Sequence, residues 1–410
     1  MSTKKTLIRN TFWLGLVEAF SKLILFGVTI SLVRYLGPKD FGSFNLAFSY
    51  VAIFMILADF GLGTVTTREV AKHKDHSDKY LSNLLGLKIS LSALIIVLIG
   101  LSFLVVPISS SKNMILAVMF YLLCQNIDNI FNSIFLAWER MELVFFSRMF
   151  YYSGLLISAL TIIAIKGTAL QIVLAYGFFT FLSVLFSTFL IKKIGIKVAI
   201  TFDKVFWKEI LIESIPFMGL AIVGTVYANS DTLLIGHFWG NESVGFYQSA
   251  YKILFAFQSI NVINNAIFPR INVLIHENNT ETLNKLIKLV ILFSIFGLIP
   301  LALFITFFQN LIIKIIYGTA YLSAAPVMAL LVWSGVINYF RILTSNILFA
   351  HKKQKYVFYS VSIGLITSLL INLLIMPRFG FTISAWSLVI SETVILLATI
   401  VFLNKKTSHQ

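Results

Sequence analysis

Twelve apolar runs, each long enough to cross a bilayer as a helix, leave this chain almost no way to fold in water. They fall at about 10–34, 42–64, 84–107, 114–137, 146–166, 169–191, 215–238, 246–269, 287–309, 324–347, 356–376 and 381–403. Each has roughly the 20 residues that a helix needs to span the hydrocarbon core. A spanning segment must satisfy its backbone polar groups internally, so these runs read as helices. The expected fold is an all-α integral membrane protein with about 12 transmembrane helices. Only 12% of the residues are charged, against roughly a quarter in a soluble domain.

A formal charge of +15 would suit a nucleic-acid partner, but the positions of the cations argue for a membrane instead. With both termini cytoplasmic, 22 of the 32 Lys and Arg residues fall in inward segments and four lie within spans. Only six face outward: Arg34, Lys39, Lys112, Lys166, Lys314 and Arg378. That asymmetry is the positive-inside bias, and basic inward loops can rest on anionic lipid. No nucleic-acid partner is expected. The first span reads as retained rather than as a cleaved signal: it is too long for a signal core, lacks an A-x-A site and carries Glu18 and Lys22.

The first half of the chain reappears faintly in the second. The segment Leu36–Ala47 aligns with Trp239–Ala250 at a constant offset of 203, placing Gly37, Gly42 and Ala47 on Gly240, Gly245 and Ala250. Each copy sits between two apolar runs and reads as a tight external turn. Internal duplication is the architecture of many transporters, with the substrate site between the repeats. The expected organisation is two pseudo-symmetric six-helix lobes, 1–200 and 201–410, around a central cavity. No connection is long enough for a separate soluble domain. The longest, Lys192 to Ser214, places Val205, Phe206, Trp207, Ile210 and Leu211 among lysines and reads as an interfacial helix.

A charge inside a span costs about 2.5–3.5 kcal/mol on insertion scales, so each needs a partner or a wet cavity. Lys88 starts its span close to the cytoplasm and is expected to snorkel to the headgroups. Asp59, Lys252 and Arg341 lie at intermediate depth, and Glu18, Lys22, Asp128 and Glu392 lie deeper. Asp231 adds a charge to span seven. Glu18 and Lys22 are one helical turn apart in the favourable order. They form either a self-neutralised structural pair or a cavity cation tuned by its acid.

Polar residues recur at helical spacing in matching helices of the two halves. Span two carries Asn45, and span four carries Gln125, Asp128, Asn129 and Asn132. Span eight carries Gln258, Asn261 and Asn265, and span ten carries Asn338 and Arg341. Any one stripe can be interhelical glue. Together they are better explained by a hydrated cavity suited to a large, hydroxyl-rich cargo with an anionic group. Lys22, Lys252 and Arg341 would meet the anion, the amides would meet hydroxyls, and aromatics such as Trp13, Tyr50 and Tyr227 could stack on sugar faces.

Several segments resemble the polysaccharide-biosynthesis flippases of the multidrug/oligosaccharidyl-lipid/polysaccharide exporter superfamily. The segment VRYLGPKDFGSFNLAFSYVAIFMILADFGLGTVTTREVAKHK (Val33–Lys74) is similar to that family's first hairpin. YANSDTLLIGHFWGNESVGFYQSAYKI (Tyr227–Ile253) is similar to its seventh and eighth helices, and YGTAYLSAAPVMALL (Tyr317–Leu331) to its ninth-to-tenth connection. The resemblance implies a fold like the multidrug exporters of that superfamily. It also implies transport of an undecaprenyl-pyrophosphate-linked repeat unit from the inner to the outer leaflet, for O-antigen, capsule or exopolysaccharide. Other polysaccharide-assembly membrane proteins would be its neighbours. On that reading Lys22, Lys252 and Arg341 attract pyrophosphate, and Arg68 and Lys72 offer a first contact at the cytoplasmic mouth unless they are only topogenic. Glu18, Asp128, Asp231 and Glu392 either couple to a proton or sodium gradient or pair structurally.

Three rivals are weighed. A multidrug antiporter of the same superfamily would call for a more acidic, more apolar cavity. A lipid II flippase usually carries two more spans and more cavity arginines. A membrane glycosyltransferase or polymerase would need a sizeable external loop with carboxylates, and the outward loops here are short. The six histidines show no metal-ligand spacing, no phosphate-cradling glycine loop or nucleophile elbow occurs, and no cofactor is expected. Cys124 is the single cysteine, so no intrachain disulfide can form.

Overall fold

A computed structural model describes residues 3–105 and 111–404. Residues 106–110, in the connection between the expected spans 84–107 and 114–137, lie outside the described residues, as do Lys405, Lys406 and His409. The described residues form helices joined by short turns, with no strand. Ten of these segments are long and apolar enough to cross a membrane. Two of them, Arg9–Lys72 and Met218–His276, run to 64 and 59 residues. At about 1.5 Å per residue, either is far longer than a bilayer is thick. Both are broken internally, and this accounts for the difference between ten segments and twelve expected crossings.

The breaks fall on the repeated glycines. Helix α1 (Thr3–Asp59) departs from helical geometry at Gly37, with φ 71° and ψ 173°. Helix α7 (Lys204–Phe257) departs at Gly240, with φ 78° and ψ 178°. That region of backbone space is accessible in practice only to glycine. The two positions therefore share a conformation as well as a sequence pattern.

The chain divides into two compact units. Unit 1 comprises Met1–Leu36 and Leu46–Thr225; unit 2 comprises Gly37–Asn45 and Val226–Gln410. After α1, unit 1 continues with α2 (Leu62–Lys72), α3 (Ser77–Val105), α4 (Lys112–Ala137), α5 (Met141–Ala164) and α6 (Ala169–Lys193). The turn into α6 is specified locally. Lys166 adopts a positive φ, and Thr168 and Gln171 then form a reciprocal capping box that satisfies the free amides at the helix start.

The segment expected to lie at the membrane interface packs one of its faces on unit 1. Phe206 and Ile210, one turn apart on α7, are buried in a core with Leu81, Leu84, Phe131 and Phe135. Trp207 Nε1 donates to the Asn83 carbonyl at 3.0 Å, and the Thr201 amide donates to that of Ser82 at 3.2 Å. The face that carries Phe206 and Ile210 thus covers protein. Val205, on the other face, stays exposed.

Unit 2 continues from α7 through α8 (Val262–His276), α9 (Thr280–Phe293), α10 (Ile299–Phe307), α11 (Gln309–Ile316), α12 (Ala325–Ala350), α13 (Gln354–Leu374), α14 (Met376–Phe379) and α15 (Ile383–Asn404). Helices α12, α13 and α15 pack against one another. Serines enter the seams: Ser360, Ser368, Ser384, Ser387 and Ser391 are all fully buried. Small side chains let helix backbones approach closely where no hydrophobic force drives association.

Candidate functional site

Unit 2 contains a cavity of about 160 Å³ whose walls come from α7, α12, α15 and the turn after α7. Its centre is Glu392 on α15, which is 5% exposed. Arg341 on α12 donates from Nε to Oε2 at 2.6 Å, and Asn338, one turn earlier, donates to the same oxygen at 3.2 Å. Tyr227 on α7 donates its hydroxyl to Oε1 at 3.2 Å. Three donors from two other helices thus converge on one carboxylate. Tyr251, Gln258 and Ser334 complete the polar wall. Buried ion pairs recover their desolvation cost only when further hydrogen bonds are made, and here Asn338 and Tyr227 supply two to the carboxylate.

From Asn338 the polar network runs on through Asn261, which donates to Asn338 Oδ1 at 3.3 Å, to Asn264, which donates to Asn261 Oδ1 at 3.3 Å. Asn265, the residue expected from periodicity, is instead exposed. The reason is local: residues Gln258–Asn261 form a 3₁₀ turn. Its three-residue period advances the inward face by one position.

Asp231 also borders the cavity and holds a second network. Its Oδ2 accepts from Tyr247 at 2.8 Å, and Oδ1 accepts from Asn372 at 2.8 Å and Ser368 at 3.2 Å. Ser384 donates to Asn372 Oδ1 at 2.6 Å. No cation pairs with this carboxylate among the described residues. Lys252, half-buried on α7, has no hydrogen-bond or ion-pair partner among them and does not line the cavity.

The residues singled out in unit 1 are dispersed. Glu18 and Lys22 form an ion pair at 3.3 Å, with side chains 72% and 46% exposed. Arg68 pairs with Glu69 at 2.7 Å and with Glu213 at 2.9 Å, and Lys72 pairs with Glu69 at 2.9 Å. Asn45, which belongs to unit 2, is buried and donates back to the Phe41 carbonyl of its own helix at 2.8 Å. Gln125 donates to the Tyr151 hydroxyl at 2.7 Å, and Asn129 accepts from Arg148 at 3.0 Å. Asn132 donates to Asp128 Oδ2 at 3.0 Å. Trp13 packs on Phe145 with ring centroids 5.1 Å apart, and Tyr50 donates to Ser102 at 2.6 Å.

Lys88 overturns the expectation that it snorkels. It is 2% exposed, lies 3.3 Å from Asp59 and donates to Asn126 Oδ1. Helix α3 begins at Ser77, so Lys88 is three turns in, on the face that packs against α4. Sequence reading also missed Asn264, Ser368, Asn372, Ser384 and Ser387. The three-to-four-residue spacing of the last four was the available signal.

The profile of a polysaccharide biosynthesis protein family matches residues 7–275, and that of the MatE family matches residues 216–374. An uncharacterized membrane protein, MJ1068, of Methanocaldococcus jannaschii is 26% identical over 55% of this chain, which spans 46% of that protein's length. An Escherichia coli K12 protein, provisionally named an O-antigen transporter, is 24% identical over 81% of this chain and 80% of its own. The capsular polysaccharide biosynthesis protein CapF of Staphylococcus aureus is 22% identical over 96% of this chain and 98% of its own. Two solved structures share the fold at 15% identity. The lipid II flippase MurJ in an inward closed conformation gives a TM-score of 0.74 over 95% of this chain and 87% of that one. An inward-facing multidrug resistance MATE family transporter gives 0.71 over 95% and 94%. This multi-pass, all-helical chain belongs to the polysaccharide biosynthesis protein family of the multidrug/oligosaccharidyl-lipid/polysaccharide exporter superfamily.

Proposed function

We propose that the protein is a flippase for undecaprenyl-pyrophosphate-linked oligosaccharide repeat units, moving them from the cytoplasmic to the outer leaflet of a bacterial cytoplasmic membrane. The polymer served would be O-antigen, capsule or exopolysaccharide. The observation that carries this reading is the unit 2 cavity, where the Arg341 guanidinium, three amide- or hydroxyl-bearing side chains and two tyrosine rings share one wall. A cation there suits phosphate, and amides and rings suit sugars. The names of the capsular and O-antigen relatives support the same cargo class.

The transport cycle we propose is alternating access by two six-helix halves, 1–200 and 201–410, with both termini cytoplasmic and the lipid tail of the cargo left in the bilayer. Lys22, Lys252 and Arg341 draw in the pyrophosphate. Lys252 is the one of these cations with no partner to release among the described residues. Arg68 and Lys72 must surrender Glu69 and Glu213 to offer a first contact. A proton or sodium gradient would act through Asp128 or Asp231, which have no cationic partner among the described residues, more readily than through the paired Glu18 or Glu392.

The test is the sidedness of lipid-linked repeat units in a strain that lacks its own flippase and makes a matched repeat unit. Right-side-out vesicles are probed with an impermeant sugar-modifying enzyme. Exposure that depends on this protein is the expected result. A second reading, a multidrug antiporter, draws on the MatE match over residues 216–374. Drug efflux by the protein, with no exposure across a panel of repeat units, would favour that reading.

A further inference from the structure

The unit 2 cavity, at about 160 Å³, is smaller than the roughly 300–1,000 Å³ of pockets that enclose a drug-sized ligand. It takes one ring-sized part of a cargo, not a whole oligosaccharide. Most polar groups on its wall are already spent on other protein groups. Glu392 and Asp231 each accept three side-chain hydrogen bonds. Ser334 donates to the Leu331 carbonyl at 2.6 Å.

Three groups are left over. The Tyr251 hydroxyl and the Gln258 amide line the cavity and make no hydrogen bond among the described residues. Arg341 bonds to Glu392 through Nε alone, which leaves its two terminal nitrogens without a hydrogen bond among those residues. A guanidinium edge of that kind suits two phosphate oxygens.

Both free side chains are held in place. Tyr251 stacks on Tyr247 with ring centroids 6.1 Å apart, and Tyr247 is fixed in turn by Asp231. Gln258 opens the 3₁₀ turn that Asn261 ties to Asn338 at 3.3 Å. Seven residues is nearly two helical turns, so Tyr251 and Gln258 share a face about 10 Å apart along the span. One hydroxyl cannot meet both, whereas two substituents of one sugar ring can.

We propose that Tyr251 and Gln258 determine specificity, each reading a hydroxyl of the sugar next to a pyrophosphate held by the terminal nitrogens of Arg341. The inference rests on the flippase reading above. A site built to hydrogen-bond a substrate hydroxyl rejects the analogue lacking it, because the site's own polar group is then left unpaired.

The experiment is thermal unfolding of the purified full-length protein titrated with farnesyl-pyrophosphate-linked glucose and galactose, and with their monodeoxy analogues. At least one parent sugar should raise the midpoint saturably, because a ligand that binds only the folded state stabilises it by mass action. At least one of its deoxy analogues should need about tenfold more for half-saturation. That deficit should vanish in Y251F or in Q258M, whichever lacks the group that reads the missing hydroxyl. Altered packing would instead weaken parent and analogue alike. Should Q258M not fold, Q258S takes its place. Indifference to both parents overturns the proposal, as do deoxy deficits that are absent from the wild type or unchanged in both variants. Failure of the flippase reading shows separately, as a protein that discriminates among these probes yet exposes no repeat unit in vesicles.

Discussion

Gly42 lies against the backbone of Asn241, and its repeat mate Gly245 lies against the backbone of Pro38, the repeat mate of Asn241. A Cβ built on Gly42 would come within 2.7 Å of the Asn241 carbonyl carbon and nearer still to its oxygen. One built on Gly245 would come within 2.6 Å of the Pro38 carbonyl carbon and likewise nearer to the oxygen. The contact is reciprocal under the same offset of 203 that relates the two sequences. The obstruction in both cases is backbone, which cannot swing aside as a side chain would. We expect Gly42→Ala and Gly245→Ala each to cost about 1–3 kcal/mol, the range for overpacking a tight contact. Gly27→Ala, with nothing within 4 Å of the added methyl, is the control and should be neutral or better. Thermal unfolding of the purified variants decides it; wild-type midpoints for both alanines would show that the turns do not need the close approach.

The Glu392 carboxylate and its three donors yield a second prediction with separable arms. Arg341→Ala leaves a buried carboxylate with only Asn338 and Tyr227. Removing one partner of a buried pair costs about 3–5 kcal/mol, chiefly because the other charge is stranded. R341A should therefore lower both stability and surface polymer. Removing both charges should restore much of the stability but not the polymer, so R341A/E392A separates folding from transport. Polymer at wild-type levels in a well-expressed double variant would remove this pair from cargo handling.

The difference between what was legible and what was not follows from the range of each physical rule. Span positions depend on about 20 consecutive residues, so they can be read without knowing any neighbour. The glycine turns were legible because the left-handed, extended conformation at Gly37 and Gly240 requires a particular residue locally. Site residues depend instead on which helix faces which. Asn264 displaced Asn265 because a single 3₁₀ turn altered the phase, and no periodicity argument anticipates that. Phe206 and Ile210 showed an amphipathic face, but their sequence cannot say whether that face meets lipid or the core that contains Leu84 and Phe135. The Asp231 network joins α7, α13 and α15 across 141 residues of chain, and only the packing reveals it.

Lys88 tests whether a buried cation of unit 1 is structural. It lies 3.3 Å from Asp59, whose side chain is 56% exposed, and donates to the buried Asn126. Because Asp59 is exposed, it is not sealed away from other partners when Lys88 is removed. The amide is different: without Lys88, Asn126 Oδ1 is left enclosed without that donor, at a cost of about 1–3 kcal/mol. K88A should be destabilised by about that much, and the companion substitution N126A in the K88A background should recover part of the loss. A fully additive double variant would show that the two side chains do not interact.

Lys22 yields the opposite prediction, because both members of its ion pair are exposed. With side chains 46% and 72% exposed, the Glu18–Lys22 pair packs little against the rest of the protein, so removing Lys22 opens no cavity. K22A should accordingly leave the amount of protein in the membrane unchanged. If Lys22 meets the pyrophosphate, the same variant should abolish surface polymer, and Lys22→Arg, which keeps the charge but alters its geometry, should retain part of it. Immunoblotting of membranes beside a polymer assay reads both quantities in one strain. Full polymer in K22A at normal expression would remove Lys22 from the mechanism and leave Lys252 and Arg341 as the cations that meet the cargo. Disappearance of K22A from the membrane would instead make the pair structural, and E18A should then produce the same loss.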